Sequence, residues 1–337
     1  MADVSVVILN YNGEKLLRKF LPSVVKYSVG ATVWVADNGS TDASLLLLER
    51  EFPNVRVIAL GTNYGFCRGY NEALRRIEAD VYVLLNSDVM VTQDWLIPIL
   101  HLMETREDVE AVQPKILSYH EPEKFEHAGA GGGRIDILGY PFCRGRIFNR
   151  VEYDHGQYDG ECEVFWSSGA CMAIRANTYW KHGGLDEGFF AHMEEIDLCW
   201  KIQRSGGKVY YNGTSVVYHV GAGTLGYENP RKTFLNFRNN MTLLLKHLGS
   251  GEALWKIPLR AVLDWVAAIA FLLVGKPGHC GAVFKAHGAV VGRLSGILRK
   301  RRAIRKAHPR YPRKNIYSGL ILLKYFFNRN NTYLRPQ

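Results

Sequence analysis

Two acidic residues in the first third of the chain directly follow apolar, strand-like segments, where a carboxylate can bind a ligand. Asp88 ends the sequence Val-Tyr-Val-Leu-Leu-Asn-Ser-Asp that begins at Val81, and Asp37 follows Val-Trp-Val-Ala. A buried carboxylate needs a cation or a hydrogen-bond donor as its partner, and oxygen ligands suit Mg²⁺ or Mn²⁺. The sequence around Asp88 therefore favours a divalent-cation site. For Asp37 it leaves open whether the side chain binds a ligand or only shapes a turn.

The elements that must position these carboxylates alternate along residues 1–115. Short β-branched runs predict strands at 4–9, 32–36, 55–60, 81–85 and 109–113. Apolar residues at three- and four-residue spacing predict the intervening helices, which are Glu14–Tyr27, Ala43–Phe52, Phe66–Glu78 and Gln93–Thr105. This alternation predicts an α/β fold with a Rossmann-like, mostly parallel sheet and helices on both faces. In such sheets ligands bind beyond the carboxyl ends of the strands.

The middle of the chain, roughly 116–180, is rich in glycine and aromatic residues and loses the alternation. The glycines of 128–133 predict a loop rather than a phosphate-binding cradle, since no helix pattern or Lys-Ser/Thr follows them. Order returns after Gly183 with a predicted helix from Glu194 to Arg204. A strand at 208–211 and a second short strand that ends at His219 complete this part.

Charge divides the chain at about residue 229. The protein has 337 residues, 42 Lys and Arg against 32 Asp and Glu, and 47% apolar residues, which exclude a disordered or disulfide-stapled chain. Residues 1–229 hold 21 basic and 30 acidic side chains, whereas residues 230–337 hold 21 basic and 2 acidic ones. A cationic segment of this kind needs an anionic partner such as phospholipid headgroups or nucleic acid.

Residues 230–337 predict a helical region. Helical spacing covers 234–248, and 254–274 is apolar but interrupted by Lys256, Arg260 and Asp264. The uninterrupted apolar run 265–274 is about half of what a membrane-spanning helix needs. We therefore expect amphipathic helices on a membrane surface, followed by a dense cationic cluster at 299–314.

The cysteines and the first residues of the chain indicate the cellular compartment of the protein. The six cysteines contain no C-x-x-C pair, which favours reduced thiols in a cytosolic compartment over a zinc knuckle or a redox dithiol. The first apolar run follows an acidic residue and lacks the features of a signal peptide, so it is expected to be a strand.

Several segments, taken together and in order, resemble inverting glycosyltransferase family 2, and its rhamnosyltransferase-like bacterial branch in particular. The resemblance covers about residues 3–250. Its segments are Val6-Val-Ile-Leu-Asn-Tyr-Asn12, Asp37-Asn-Gly-Ser-Thr-Asp42, Asn63-Tyr-Gly-Phe66 with Asn71-Glu-Ala, Asn86-Ser-Asp88, Gly183-Gly-Leu-Asp-Glu-Gly-Phe-Phe190 and Glu194-Glu-Ile-Asp-Leu-Cys-Trp200. The resemblance implies a GT-A fold in residues 1–229, with a nucleotide-sugar half at about 1–115 and an acceptor half at about 116–229.

The resemblance also implies a metal site. A nucleotide-sugar donor leaves as a diphosphate, and a divalent cation, Mg²⁺ or Mn²⁺, neutralises the charge that develops on it. The last Asp of the family's D-x-D motif falls on Asp88, whereas Asn86 stands where many members have the first Asp. A metal-binding His of the family falls on His219, although a lone His is often structural. Because Asn86 is uncharged, the resemblance implies that the protein supplies fewer charges to the metal and that more water binds it.

Inversion requires one in-line displacement in which a carboxylate takes the proton of the acceptor hydroxyl. The family's Glu-Asp pair reads Glu194-Glu195 here, so the resemblance assigns the general base to Glu195. Glu194 is assigned to acceptor binding. Glu194 and Asp197 can instead be charges stabilised by the helix dipole, which the sequence favours for Asp197.

The remaining site residues are also carried over from the family. Nucleotide and sugar binding falls on Tyr11, Asp37, Asn63 and Gly65, together with Asn86 and Asp88. Trp166 falls at the boundary between donor and acceptor, where its ring could stack on a sugar, and a place in the core is the equal alternative.

These residues predict a metal-dependent, inverting hexosyltransferase at the cytoplasmic membrane face, peripheral to an anionic bilayer. The expected donor is a nucleotide-diphosphate sugar, with dTDP-rhamnose as a candidate, and the expected acceptor is a polyprenyl-linked or cell-envelope glycan. One alternative is a nucleic-acid-binding protein, against which the site carboxylates argue because they repel phosphate. The other alternative is an inactive glycan-binding relative, which the two departures at Asn86 and Glu195 keep open.

Overall fold

The computed structural model describes residues 2–221, 229–309, 311 and 314–327. The first part of the chain alternates strands and helices as predicted. Its elements are β1 (Val4–Asn10), α1 (Glu14–Tyr27), β2 (Thr32–Asp37), α2 (Ser44–Glu51), β3 (Arg56–Ala59), α3 (Gly65–Leu74), β4 (Val81–Asn86), β5 (Val89–Val91), α4 (Leu96–Thr105) and β6 (Val109–Ser118).

The middle part contains short strands and then the second half of the main sheet. Its elements are β7 (Gly133–Asp136), β8 (Pro141–Cys143), β9 (Arg146–Ile147), β10 (Arg150–Val151), β11 (Glu161–Glu163), β12 (Cys171–Arg175), α5 (Ala176–Lys181), α6 (Glu194–Arg204) and β13 (Lys208–His219). The two strands predicted between 208 and 219 form one strand, which has register shifts against β6 at Lys208/Val209 and at Asn212/Val216.

The main sheet has nine strands in the order β11-β13-β6-β12-β4-β1-β2-β3, with β5 paired to β13. Strands β4, β1, β2 and β3 are parallel, and β12 is inserted antiparallel between β4 and β6. The mostly parallel α/β sheet is therefore confirmed. Side chains alternate between its two faces, so that Val6 and Ile8 pack on one side with α1, while Val7 packs on the other with Tyr70 of α3.

The C-terminal region is helical, as predicted, and contacts the rest of the chain. It contains α7 (Pro230–His247), α8 (Ser250–Leu273), α9 (Pro277–Gly292), α10 (Leu294–Ala307), β14 (Ile316–Tyr317) and α11 (Ile321–Phe327). Strand β14 pairs in parallel with β7 in a second, five-stranded sheet, and the amide of Ile321 donates to Oδ2 of Asp136 at 3.0 Å. The division at residue 229 is thus one of composition and element type, across which contacts continue.

None of the helices in the described ranges combines the length and the apolar content that crossing a membrane would require.

Candidate active site

The carboxyl end of β4 and the end of β13 meet at one edge of the main sheet. Asn86 is the last residue of β4, Asp88 lies in the turn to β5, and the pairing of β5 with β13 sets His219 opposite Val89. Oδ1 of Asp88 lies 3.1 Å from Nε2 of His219, and Nδ2 of Asn86 lies 3.4 Å from the same nitrogen. The structure therefore brings together Asp88 and His219, which the resemblance assigned to a metal, and Asn86, which it assigned to donor binding.

Glu126 is a fourth member of this cluster, which the sequence did not indicate. Its Oε2 lies 3.2 Å from Nδ1 of His219, on the side of the ring that faces away from Asp88. Both side chains are buried. Glu126 lies in the glycine- and aromatic-rich segment, where no periodicity or motif marks it, and only the fold carries it to His219.

The electrostatics of the cluster follow from burial and from these contacts. Burial by itself lowers the pKa of His219, but its hydrogen bonds to Asp88 and Glu126 outweigh this effect and raise the pKa to about 10. Burial by itself raises the pKa of Glu126, yet the hydrogen bond to His219 holds that pKa below its ordinary value. The cluster is therefore built around an imidazole between two carboxylates.

The donor set fits a hard divalent cation that keeps several non-protein ligands. The carboxylate of Asp88 and a neutral Nε2 of His219 are ligand types that Mg²⁺ and Mn²⁺ accept. Within the described ranges, no group of three or more His, Cys, Asp or Glu side chains could hold a metal ion. Asp88 and His219 would hold such a cation as a pair only with a neutral imidazole, so metal binding would have to displace the proton that the two carboxylates hold on the ring.

Glu194 and Glu195 open helix α6 after a turn with unusual backbone angles. Phe190, His192 and Met193 have φ values of 68°, 68° and 74°, a left-handed conformation that costs energy for residues other than glycine. Asn239 of α7 holds this turn, because its Nδ2 lies 2.7–3.1 Å from the carbonyl oxygens of Phe189, Ala191 and His192. The turn that presents the two glutamates is thus fixed from outside by a helix of the C-terminal region.

The environment of Glu195 suits a general base. Burial raises the pKa of Glu195 to about 7, although hydrogen bonds from backbone amides oppose the rise. Burial, and then the charge of Glu195, raises the pKa of Glu194 well above its ordinary value. Oε2 of each side chain is buried without a hydrogen-bond partner in the described structure. A carboxylate whose pKa lies near neutrality and whose oxygen is unpaired can accept a proton from a substrate.

Glu195 is connected to the metal-site edge through the segment after β11. A Cβ added at Gly169 would lie 3.9 Å from Cβ of Glu195 and 3.7 Å from the Phe66 ring. The next residue, Ala170, accepts a hydrogen bond from the amide of Asn86 at 3.0 Å. The glutamate and the end of β4 therefore approach one another across a glycine that leaves room between them.

Asp197 has a structural position. Its buried carboxylate lies 2.5 Å from Nζ of Lys246 and 2.8 Å from Nε2 of His247, both in α7. Burial would raise the pKa of Asp197, but the charges of Lys246 and Lys201 hold it well below the ordinary value. Asp197 lies in the first turn of α6, as the helix-dipole interpretation requires, and its ion pairs also fasten α6 to α7.

The residues expected to bind the nucleotide lie at the ends of β1 and β2 and before α3. Tyr11 and Asn63 are exposed, and Oδ1 of Asn63 accepts hydrogen bonds from Asn38 and from the amide of Gly65. Asp37 is buried, and its two oxygens accept from Nδ2 of Asn10 and from the amide of Ser40. Asp37 therefore shapes its turn, and its contact with a nucleotide stays a prediction.

Gly65 has a steric reason for being glycine. Its φ is +75°, and a Cβ at this position would lie 2.6 Å from the ring of Phe190. The start of α3 and the turn before α6 can therefore pack only with no side chain at residue 65.

The structure places Trp166 in the core, the alternative that the sequence left equally open, and a contact of its ring with a sugar stays a prediction. The side chain is 4% exposed, and its Nε1 donates to the carbonyl oxygen of Arg134 at 2.8 Å. A Cβ at Gly133 would lie 2.2 Å from the indole, which shows how closely the strand β7 covers one face. Trp166 is a core residue, since its ring packs against β7 and its N–H already donates a hydrogen bond to Arg134.

Glu194, the other expected acceptor residue, is 4% exposed. It lies beside Glu195 at the start of α6, so it can act on an acceptor only through its unpaired Oε2. Its role in acceptor binding stays a prediction.

Comparison with known proteins identifies the fold and the family of the chain. The chain is 26% identical over 283 residues to the N-acetylglucosaminyl-diphospho-decaprenol L-rhamnosyltransferase of Mycobacterium tuberculosis, a match that covers 78% of this chain and 90% of the relative. Among solved structures, GalNAc-T7 with UDP, GalNAc and Mn²⁺ superposes with a TM-score of 0.58 at 17% identity, over 74% of this chain and 49% of that one. The chain thus spans about half the length of GalNAc-T7.

A second solved structure supports the same fold. The mannosyltransferase PcManGT from Pyrobaculum calidifontis, in complex with GDP-Man and Mn²⁺, superposes with a TM-score of 0.52 at 14% identity, over 91% of this chain and 81% of that one. The fold is therefore GT-A. The sequence profile of Glycosyl transferase family 2 matches residues 5–183, just over half of the chain. Because this match covers more than half of the chain, the protein belongs to glycosyltransferase family 2.

Proposed function

We propose that the protein is a metal-dependent, inverting glycosyltransferase that moves a sugar from a nucleotide-diphosphate donor to a hydroxyl of a polyprenyl-linked glycan. The observation that carries the proposal is the pair Asp88 and His219 at the edge of the sheet that also approaches Glu195. The Mycobacterium tuberculosis relative supports the acceptor class and makes dTDP-rhamnose the first donor to test.

Asp88 and His219 would hold the divalent cation, Mg²⁺ or Mn²⁺. When bound, such a cation stabilises negative charge on a leaving diphosphate. Glu126 keeps the His219 ring in place through Nδ1, so that Nε2 is directed toward Asp88.

Glu195 would take the proton. The acceptor oxygen forms a bond to the anomeric carbon while the bond from that carbon to the diphosphate oxygen breaks, and the hydroxyl proton passes to the carboxylate of Glu195. A single displacement of this kind inverts the anomeric configuration. The pKa of about 7 keeps a substantial fraction of Glu195 ionised at neutral pH while the carboxylate remains basic enough to accept a proton.

A lipid-linked acceptor implies that the enzyme works beside a membrane. We therefore place it at the cytoplasmic face, attached peripherally. The basic C-terminal region, with 21 basic and 2 acidic side chains in residues 230–337, supports attraction to an anionic surface.

A transfer assay with the full chain tests the proposal. The donors are dTDP-rhamnose, UDP-N-acetylglucosamine and GDP-mannose, the acceptor is a short-chain polyprenyl-diphosphate N-acetylglucosamine, and each reaction is run with Mn²⁺, with Mg²⁺ and with a chelator. We expect transfer from one donor, abolished by the chelator, with inverted configuration in the product by NMR.

Asp88→Asn keeps the shape of the side chain and removes its charge, so transfer should fall by about two orders of magnitude or more. Asp94→Asn is the matched control, because Asp94 is an exposed aspartate outside the cluster. Retained configuration, or equal activity of Asp88→Asn and the wild type, would overturn the mechanism.

A further inference from the structure

Helix α8 has its polar and apolar faces reversed relative to the helix of an ordinary soluble protein. Its buried residues are Lys256, Arg260, Asp264 and Ala268, which recur every four positions and therefore form one inward stripe. A surface helix of a soluble domain buries an apolar stripe and exposes charged residues. In α8 the charged residues face the protein.

The inward stripe is held by specific contacts. Nη1 of Arg260 donates to the carbonyl oxygen of Leu138 at 2.8 Å, and its guanidinium lies 3.6 Å from the centre of the Tyr140 ring. Asp264 lies 3.4 Å from Arg260 and 3.1 Å from Nε2 of His287 in α9. Because these buried polar groups have partners, the helix cannot turn its charged face outward without losing them.

The outward face carries only apolar residues from 254 to 274. Leu254 is 80% exposed and Leu273 is 82% exposed, so these side chains do not lie at the edge of the contact between α8 and the rest of the protein. The exposed residues of this stretch are Leu254, Trp255, Pro258, Leu259, Val262, Trp265, Val266, Ile269, Ala270, Leu272, Leu273 and Val274. A helix of 24 residues is about 36 Å long, so this face is a continuous apolar ridge.

The composition of the ridge favours a lipid surface over a protein partner. Protein interfaces surround an apolar centre with a polar rim that makes hydrogen bonds, whereas no charged side chain is exposed on α8 between residues 254 and 274. An interfacial helix with tryptophans and a cationic surrounding is typical of proteins that lie on anionic bilayers. Exposed cations on α9 and α10, or directly before them, are Lys276, Lys285, Arg293, Arg299 and Arg302, whereas Lys300 pairs with Asp186.

We propose that α8 lies in the plane of an anionic phospholipid bilayer, with its outward ridge among the acyl chains and the cations of α9 and α10 at the headgroups. This inference deepens the proposed function, since it names the surface by which an enzyme for lipid-linked acceptors would reach its substrate. The buried stripe is the feature that fixes which side of the helix meets the lipid.

Flotation of the full chain with vesicles tests the inference without donor or acceptor. The vesicles are phosphatidylcholine alone or phosphatidylcholine with phosphatidylglycerol, at low and high salt. The test variant is the triple substitution Leu259→Ser, Val266→Ser and Ile269→Ser, whose exposed positions leave the buried stripe intact. The matched control is Val29→Ser, Leu46→Ser and Ile97→Ser, at exposed apolar positions elsewhere.

We expect the wild type and the control to float with anionic vesicles. The affinity of the α8 variant for these vesicles should be at least about tenfold lower. High salt should weaken wild-type binding without abolishing it, because the apolar part is not screened. Circular dichroism and thermal unfolding confirm that each variant is folded.

The inference is wrong if the folded α8 variant floats like the wild type, or if the wild type ignores vesicles. A concentration-dependent dimer that the α8 variant loses, without vesicle binding by the wild type, would assign the ridge to a second copy of the chain instead. Because no sugar substrate is present, these outcomes are independent of the proposed transferase. Conversely, failure of transfer to a short-chain acceptor, with vesicle binding intact, would count against the transferase alone.

Discussion

His219 and Glu126 lie in contact, with Nδ1 of the imidazole 3.2 Å from Oε2 of the carboxylate, although they come from the end of β13 and from the loop after β6. The other ring nitrogen faces Asp88 at 3.1 Å. A histidine that binds metal through one nitrogen is usually oriented by a carboxylate or carbonyl at the other. On this contact we base the proposal that Glu126 positions His219 in the proposed metal site.

Glu126→Gln should weaken metal binding while the fold persists. The substitution keeps the shape of the side chain but removes the charge that orients the imidazole, and we expect the affinity for Mn²⁺ in the presence of dTDP to fall by about tenfold. Electron paramagnetic resonance of free Mn²⁺ measures the affinity directly. Glu121→Gln, at an exposed glutamate, is the control. An affinity within about twofold of the wild type would show that Glu126 is only a core residue.

The activity of the enzyme should depend on the ionisation of Glu195. Because burial raises its pKa to about 7, the carboxylate form gains population as the pH rises through neutrality. We expect kcat/KM to rise between about pH 6 and 8 and then level off. Glu195→Gln should lower turnover by roughly 10²–10⁴-fold at pH 8, with nucleotide affinity preserved. A wild-type profile that is flat between pH 6 and 8 would contradict the assignment.

The same pKa predicts an effect of Glu195 on stability. A carboxyl group whose pKa is higher in the folded state, about 7 against an ordinary 4.5, makes folding less favourable as pH rises from 4.5 to 7. Glu195→Gln does not lose stability in this way because Gln does not ionise. Its free energy of unfolding should therefore exceed that of the wild type by about 1–2 kcal/mol at pH 8. At pH 4 the two proteins should agree. Urea unfolding at both pH values makes the comparison, and a constant difference would refute it.

Asn239 should act on turnover rather than on donor affinity. Asn239→Asp replaces the amide that donates to the carbonyls before α6 with a group that cannot donate when ionised. The left-handed turn should then relax and displace Glu195, so we expect kcat to fall by about tenfold or more. The donor KM should change by less than about twofold. Asn177→Asp, on the exposed side of α5, is the control, and an equal loss in both variants would count against a positioning role.

Trp166→Phe should change stability and leave acceptor use unaffected. The substitution keeps an aromatic ring and removes the N–H that donates to Arg134, so the free energy of unfolding should fall by about 1–2 kcal/mol. Because the ring is buried, the acceptor KM should stay within about twofold of the wild type. Trp255→Phe, at a half-exposed position, should leave stability unchanged. A selective rise in acceptor KM for Trp166→Phe would restore the sugar-stacking interpretation.

The sequence predicts best what depends on short stretches of chain. Alternating strands and helices are local patterns, and Asp88 and His219 end apolar strands that parallel topology brings to one edge. Trp166 could not be placed in the same way, because an aromatic beside a turn gives no indication of which face will be covered. The core position depends on β7, which passes over the indole.

Long-range contacts account for the rest of what the sequence did not indicate. Glu126 reaches His219 only through the pairing of distant strands, and Asp197 finds partners in α7 besides Lys201 in its own helix. For α8 the amphipathic pattern was visible, but the pattern alone does not tell which face is inside. Burial of Arg260 and Asp264 decides that question.

Strand β14 is synthesised long after its partner strand β7, so the two strands cannot pair until late in translation. Its partner β7 leaves the ribosome first, and at 5–20 residues per second roughly 10–40 s pass before Ile316 follows. During that interval the edge of β7 lacks its neighbour, and Asp136 lacks the amide of Ile321. An unpaired edge can pair with another chain. The edge of β7 in a nascent chain is therefore open to pairing with another chain until residues 316–317 have been added.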